Sequence, residues 1–121
     1  MHIFIVDDDP SFGRSLKRML NARSFKTDLF ESAQAFIDSV PSDQQGIVIL
    51  DVHMPHHDGL WLMDKMQELH YGMPVIAVTG HSQADQRNRI MEKGALGFLL
   101  KPFNERSLLA IIETQTSTTP Q

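Results

Sequence analysis

Short runs of consecutive apolar residues alternate along the chain with longer stretches in which apolar residues recur every three or four positions. The runs occupy residues 3–6, 47–50, 75–78 and 98–100. Unbroken apolarity of this kind is typical of strands buried on both faces, as in a parallel sheet covered by helices. Residues 25–30 mix polar with apolar positions and predict an edge strand that is exposed on one side.

The intervening stretches have helical spacing and carry typical start signals. Asp9 with Pro10 predicts the N-cap and first turn of one helix, and Ser32 and Asn104 predict the N-caps of two others. Residues 82–93 predict a helix with few apolar anchors. The expected buried faces are Phe12, Leu16, Met19 and Leu20; Ala33, Phe36, Ile37 and Val40; Leu60, Met63, Met66 and Leu69; and Leu108, Leu109, Ile111 and Ile112.

The predicted elements alternate strictly between strand and helix from one end of the chain to the other. This order implies right-handed crossovers and an α/β fold with a doubly wound, five-stranded parallel sheet. The end of the chain, "TQTSTTPQ", changes to small polar residues with one proline, a composition typical of linkers. We therefore expect one domain over residues 1–114 and the start of a linker over residues 115–121.

Composition narrows the class of protein. A chain of 121 residues with 41% apolar and 21% charged residues is typical of a single soluble globular domain. The net charge of −4 argues against direct binding of nucleic acid by this segment. The lack of cysteine excludes disulfides, thiolate zinc sites and a thiol nucleophile. The start of the chain lacks the features of a secretory signal and no stretch suits a membrane span, so we expect a cytoplasmic protein.

Polar residues directly follow the predicted buried strands. They are Asp7, Asp8, Asp51, Thr79 and Lys101. Because the carboxyl ends of parallel strands meet at one edge of the sheet, we expect these side chains to gather there. Three carboxylates with oxygen-only donors suit Mg²⁺, with Mn²⁺ as an alternative. A lysine and a hydroxyl beside such a cation predict the handling of a phosphoryl group, with the carboxylate that stands alone on its strand, Asp51, as acceptor.

Four segments together carry a resemblance to a known family. They are "IVDDD", "LDVHMPHHDG", "AVTGH" and "GFLLKPF", which follow one another in this order and fit the alternating pattern. The sequence resembles the receiver domain of bacterial two-component response regulators over residues 1–114. "AVTGH" and the ending around Lys101 and Pro102 are similar to the FixJ branch of transcription regulators, although Leu100 stands where that branch has glutamate.

The resemblance implies a flavodoxin-like fold with strand order 2-1-3-4-5. It also implies a signalling switch, not a metabolic enzyme, in which a sensor histidine kinase transfers a phosphoryl group to Asp51. Asp8, Asp51 and the backbone carbonyl of His53 would bind Mg²⁺ directly, and Asp7 would act through water. Self-phosphotransfer and self-dephosphorylation would be its chemistry.

The resemblance assigns further roles near the predicted site. Thr79 and Lys101 would contact the phosphoryl oxygens, and the Lys101–Pro102 bond would be cis. Phe98 takes the place of the family's switch aromatic, and without a hydroxyl it would report the state of Thr79 only by packing. His53 and His81 hold positions that influence loss of the phosphoryl group to water.

The sparse apolar anchoring of the helix over residues 82–93 indicates how the signal is passed on, because a modest free-energy change could shift such a helix. We expect the signalling surface, and a homodimer formed on phosphorylation, at the fourth helix, the fifth strand and the last helix. DNA would be bound only by an output domain outside this chain, of helix-turn-helix type in the FixJ branch. No membrane partner is expected.

Two other interpretations remain open from the residues alone. "IFIVDDDPS" is similar to the first motif of haloacid-dehalogenase phosphatases, with Asp7 as nucleophile and Asp9 as acid or base. Against it, Asp51 would have no role, no acidic pair follows Lys101, and the chain leaves no room for a substrate-selecting cap. His53, His56 and His57 suggest a zinc site, but their spacing matches no strong zinc signature.

Overall fold

The computed structural model describes residues 1–54, 57–80 and 84–117. Strands and helices alternate throughout these residues, as the sequence pattern predicts. The elements are β1 (His2–Val6), α1 (Pro10–Ala22), β2 (Lys26–Phe30), α2 (Ala33–Ser39), β3 (Ile47–Asp51), α3 (Gly59–Glu68), β4 (Val75–Thr79), α4 (Ala84–Glu92), β5 (Gly97–Leu100) and α5 (Glu105–Ser117).

The strands form one parallel sheet in the order β2-β1-β3-β4-β5, which confirms the predicted fold class. The predicted edge strand, β2, lies at one edge of this sheet. In the register, Val6 pairs with Leu50, Asp51 with Val78, and Thr79 with Leu100. The carboxyl ends of β1, β3, β4 and β5 therefore lie side by side.

Alternate residues of the central strands pack on opposite faces of the sheet. One face joins α2, α3 and α4 and includes Phe4, Val48, Leu50, Phe36, Leu62 and Ile90. The other joins α1 and α5 and includes Ile3, Ile5, Ile49, Leu16, Leu20, Leu108 and Ile112. Burial on both faces explains the unbroken apolar runs of β1, β3 and β4, since each apolar side chain in these runs enters a core. The run in β5 differs from the expectation, because Leu100 is 46% exposed.

The three predicted helix starts are confirmed. The Asp9 carboxylate accepts hydrogen bonds from the backbone N–H groups of Ser11 and Phe12 at the start of α1. The Ser32 hydroxyl accepts from the Ala35 N–H, and the Asn104 side chain accepts from the Ser107 N–H. Each cap satisfies a backbone donor that has no partner within its own helix.

The predicted buried face of the third helix is partly wrong. Leu69 is 44% exposed, whereas Leu62, which the prediction omitted, is fully buried. The helix begins at Gly59, capped by Asp58, and ends at Glu68, so Leu69 lies beyond its last turn. The buried stripe consists of Gly59, Leu62, Met63 and Met66.

Helix α4 has the sparse anchoring that its sequence predicts. Ile90 is the one fully buried side chain among those the structure describes in this helix, and Met91 is 41% exposed. The predicted buried face of α5 is confirmed in part. Leu108 and Ile112 are fully buried, whereas Leu109 and Ile111 are only partly buried. None of the helices in the described ranges is long and apolar enough to cross a membrane.

Candidate phosphoryl-acceptor site

Three carboxylates meet where β1 and β3 end. Asp7 and Asp8 follow β1, Asp51 is the last residue of β3, and their closest oxygen atoms all lie within 4.8 Å of one another. Asp7 and Asp51 are buried, whereas Asp8 is exposed. The cluster is therefore open to solvent on the side of Asp8.

Backbone N–H groups orient the two buried carboxylates. The Asp9 N–H donates to Asp7 Oδ1 at 2.9 Å, and the His53 N–H donates to Asp51 Oδ1 at 3.2 Å. In each case the loop after the strand turns back toward the carboxylate, as short Asx turns do. The second oxygen of each carboxylate faces the Lys101 ammonium.

Lys101 enters the cluster from the loop after β5. Its Nζ lies 2.9 Å from Asp7 Oδ2 and 3.8 Å from Asp51 Oδ2. Its backbone N–H donates to the Thr79 carbonyl at 2.7 Å, and the Lys101–Pro102 peptide bond is cis. Thr79, the last residue of β4, is fully buried. The carboxyl ends of four strands thus supply the predicted site residues.

The Asp51 carboxyl is electrostatically the most perturbed group of the site. Burial, and after it the neighbouring charge of Asp7, raise its pKa to about 7 against the opposing effects of the Lys101 ammonium and the His53 N–H. Both buried carboxylates face a single ammonium, so negative charge remains in excess. An oxygen-only donor set with excess negative charge fits a hard divalent cation such as Mg²⁺.

One aromatic side chain contacts the site, and a second lies on the neighbouring strand β5. The Phe12 ring centroid is 4.1 Å from Lys101 Nζ, a contact that the sequence pattern did not reveal because it marked Phe12 only as a buried helix position. Phe98, on β5, is partly buried and packs against the core on the α4 side of the sheet. The Arg87 guanidinium of α4 lies 5.9 Å from the Phe98 ring centroid.

The histidines near Asp51 do not form one described cluster. His53 is exposed, and the His57 ring stacks on Trp61 with 3.8 Å between ring centroids. His56 and His81 lie outside the described residues, and with them the zinc site that includes His56 and the role predicted for His81. Within the described ranges, Asp7, Asp8 and Asp51 are the acidic or histidine side chains that lie close enough together to share a metal ion.

Solved structures share the fold and this layout of strands. FixJ-N superimposes with a TM-score of 0.88 at 29% identity, covering 99% of this chain and 96% of that chain. Full-length FixJ from B. japonicum superimposes with a TM-score of 0.87 at 37% identity, covering 96% of this chain and 57% of that chain.

Curated relatives include transcription regulators. The transcriptional regulatory protein FixJ of Bradyrhizobium diazoefficiens is 38% identical over 113 residues, which cover 93% of this chain and 55% of that protein. The response regulator protein TmoT of Ectopseudomonas mendocina is 35% identical, covering 98% of this chain and 54% of that protein. The chain thus spans about half the length of the curated relatives it matches, and these relatives are not metabolic enzymes.

The match to a protein family covers nearly all of the chain. Residues 3–113 match the response regulator receiver domain, a family that generally binds Mg²⁺ through an aspartate cluster of the kind present here. This match does not favour the phosphatase alternative with Asp7 as nucleophile. The chain belongs to the family of response regulator receiver domains.

Proposed function

We propose that Asp51 accepts a phosphoryl group from a sensor histidine kinase and that the resulting charge switches the surface of the domain. The observation that carries this proposal is the position of the Asp51 carboxylate, which lies between Asp7, Asp8 and Lys101 at the end of a fully buried strand. Such a carboxylate is held as a nucleophile with a cation beside it to offset the incoming charge.

In the proposed reaction an Asp51 carboxylate oxygen attacks the phosphorus of a phosphohistidine. The bond between phosphorus and the imidazole nitrogen breaks, and the imidazole leaves with the electron pair and takes up a proton. The Lys101 ammonium offsets the charge on the phosphoryl oxygens and the Thr79 hydroxyl donates a hydrogen bond to them. Self-dephosphorylation is the hydrolysis of the aspartyl phosphate: water attacks phosphorus, and the bond between phosphorus and the Asp51 oxygen breaks. The water releases a proton, inorganic phosphate leaves, and the Asp51 carboxylate is restored.

Asp8, Asp51 and the backbone carbonyl of His53 are the groups that would hold Mg²⁺, or Mn²⁺ in its place, with Asp7 acting through water. When bound, the cation offsets the charge of the carboxylates and of the phosphoryl group. The exposed position of Asp8 supports this assignment, because it leaves the cluster accessible from solvent.

The switch is proposed to pass from Thr79 to Phe98 and then to α4. Phosphorylation adds charge and acceptor oxygens that draw the Thr79 hydroxyl toward the site. Phe98 lies on the neighbouring strand β5, where it pairs with Ala77, two residues before Thr79 on β4. Its ring contacts Arg87 of α4. Helix α4 is anchored chiefly by Ile90, so a small free-energy change suffices to shift it.

The remaining parts of the proposal concern the whole protein. Residues 1–114 form the receiver, residues 115–121 begin a linker into which α5 continues as far as Ser117, and a helix-turn-helix output domain outside this chain binds DNA. The names of the relatives and the share of their length that this chain matches support such an output. A homodimer through α4, β5 and α5 on phosphorylation, and a cytoplasmic setting, belong to the same proposal.

The decisive experiment is the intact mass of the chain after incubation with acetyl phosphate and Mg²⁺. We expect a gain of one phosphoryl group in the natural sequence, no gain in Asp51→Asn, and no gain in the presence of a chelator. Asp7→Asn should still gain mass, though more slowly. A gain that survives Asp51→Asn and disappears in Asp7→Asn would overturn the proposal in favour of the phosphatase chemistry.

Light scattering tests the dimer separately. The phosphorylated chain should have about twice the mass of the untreated chain at the same concentration. A phosphorylated chain that stays monomeric throughout the concentration range would refute the proposed dimer and leave the acceptor chemistry intact.

A further inference from the structure

The Phe12 side chain does more than fill space on α1. Its ring centroid lies 4.1 Å from the Lys101 ammonium nitrogen, within the range in which an aromatic face attracts a cation. We propose that Phe12 is a positioning residue for phosphoryl transfer, because its ring holds the Lys101 ammonium beside Asp51. This inference rests on the proposed function of Asp51 and Lys101.

The Lys101 ammonium has neighbours of two kinds. The carboxylates of Asp7 and Asp51 lie 2.9 Å and 3.8 Å away, and the Phe12 ring is its aromatic contact. A lysine has a flexible four-carbon stem and loses considerable rotamer freedom when its end is fixed. The ring therefore reduces the number of positions that the ammonium samples before the phosphoryl group arrives, which lowers the barrier to transfer.

The Phe12 ring is itself held from two sides. The start of α1 fixes its backbone, because the Phe12 N–H donates to the Asp9 carboxylate at 3.3 Å. The Phe103 ring meets it in a T-shaped arrangement with 5.8 Å between ring centroids. Phe103 lies two residues after Lys101, so the loop that carries the lysine also fixes the ring that the lysine contacts.

The electrostatic role of Phe12 is separable from its packing role. Phe12 is partly buried against the core that joins α1 and α5, so an aliphatic side chain in its place would also change packing. Fluorine atoms withdraw charge from the face of a phenylalanine ring and alter its size only slightly. A series of fluorinated rings thus weakens the attraction to the ammonium in steps while the packing is nearly preserved.

The experiment places 4-fluoro-, 3,5-difluoro- and pentafluorophenylalanine at position 12 of the full chain. The readout is the rate constant for phosphorylation by acetyl phosphate with Mg²⁺, followed by intact mass, together with the thermal midpoint. We expect the rate constant to fall stepwise, by about 3- to 10-fold for the pentafluoro ring. Should the pentafluoro chain fail to fold, the 4-fluoro and 3,5-difluoro rings still show how the rate constant depends on the number of fluorine atoms.

Pentafluorophenylalanine at position 36 is the matched control. Phe36 is a fully buried ring in the core on the opposite face of the sheet, and its fluorination should leave the rate constant unchanged. A rate constant that does not change along the Phe12 series, or that falls equally in the Phe36 control, would overturn the inference. Absence of phosphorylation in the natural chain would instead contradict the proposed function, so the two failures are distinguishable.

Discussion

The Lys101 ammonium donates a hydrogen bond to Asp7 Oδ2 at 2.9 Å, and it lies farther, at 3.8 Å, from Asp51 Oδ2. Without a metal ion, the lysine therefore offsets chiefly the charge of Asp7. A divalent cation that binds the same carboxylates competes with this ammonium, because like charges placed a few ångströms apart repel. Lys101 thus has opposing effects on metal binding and on phosphoryl transfer.

Replacement of Lys101 by methionine should separate these two effects. We expect Lys101→Met to bind Mg²⁺ about 10-fold more tightly, since the competing positive charge is gone. The same variant should be phosphorylated by acetyl phosphate at least 10-fold more slowly, since the charge on the phosphoryl oxygens is no longer offset. Calorimetric titration with MgCl₂ and the time course of intact mass measure the two quantities.

Lys26→Met is the control for this comparison. Lys26 is exposed at the start of the edge strand β2, at the opposite end of the sheet from the carboxylates. It should change neither the Mg²⁺ affinity nor the rate. Weaker Mg²⁺ binding in Lys101→Met would show that the lysine supports the metal site instead of competing with the ion.

The raised pKa of Asp51 predicts a pH dependence of stability in the absence of metal. Burial and the charge of Asp7 raise this pKa from 3.8 to about 7 on folding. The folded chain therefore binds the proton more tightly than the unfolded chain, and this contribution to stability is full below pH 4 and is lost as the pH rises through 7. Asn at this position does not titrate.

We expect Asp51→Asn to be about as stable as the natural chain near pH 4 and more stable by about 4 kcal/mol at pH 8, both in EDTA. Urea unfolding at several pH values measures this difference. Added Mg²⁺ at pH 8 should stabilise the natural chain more than Asp51→Asn. Asp43→Asn, at an exposed position, is the control. The prediction would be contradicted if the free energies of unfolding of Asp51→Asn and of the natural chain differed by the same amount at every pH.

Much of the fold was predictable because its signals are local or follow from strand order. The apolar runs mark strands buried on both faces, and parallel strands necessarily bring their carboxyl ends to one edge. That rule accounts for the proximity of Asp7, Asp51 and Lys101, although the chemical roles of these residues remain predictions. The end of α3 was less predictable, because apolar spacing continues to Leu69 after the helix has ended.

The contact between Phe12 and Lys101 could not be predicted from the sequence. Apolar periodicity assigns Phe12 to a buried helix face and gives no sign that the ring lies against a cation. The contact depends on the path of the loop that carries Lys101 and Phe103 over the start of α1. Such long-range placement of side chains follows from tertiary packing, not from local patterns.

Gly59 should tolerate no side chain, because it lies against the loop that follows Asp51. A Cβ atom at this position would come within 2.8 Å of Val52 Cα and 3.2 Å of the Asp51 carbonyl oxygen. We expect Gly59→Ala to lower the free energy of unfolding by about 2 kcal/mol, since backbone cannot move aside as a flexible side chain does. Thermal or urea unfolding measures the loss.

Gly72→Ala is the matched control for Gly59→Ala. A Cβ at Gly72 would meet no atom within 4 Å, so this variant should be neutral or more stable by about 0.5 kcal/mol. Equal effects of the two substitutions would refute the steric explanation. Phosphorylation of Gly59→Ala should also slow, because a shift of Val52 displaces the neighbouring Asp51.

The contact between Arg87 and Phe98 should restrain α4. The guanidinium lies 5.9 Å from the ring centroid, and the helix has few other anchors. We expect Arg87→Met and Phe98→Leu each to increase the rate of amide hydrogen exchange in α4 by about 2- to 5-fold. This factor corresponds to the free energy of an exposed cation–π contact. Exchange followed by mass spectrometry on peptides covering Ala84–Glu92 measures this effect.

A double-mutant cycle assigns the effect to the pair. Once one partner is removed the contact no longer exists, so the second substitution should add little to the exchange rate of α4. Arg89→Met, on the same helix and likewise exposed, should leave exchange near its original value. If the double variant instead increases the exchange rate of α4 by the product of the two single increases, Arg87 and Phe98 restrain α4 independently. The proposed route from Thr79 through Phe98 would then not depend on this contact.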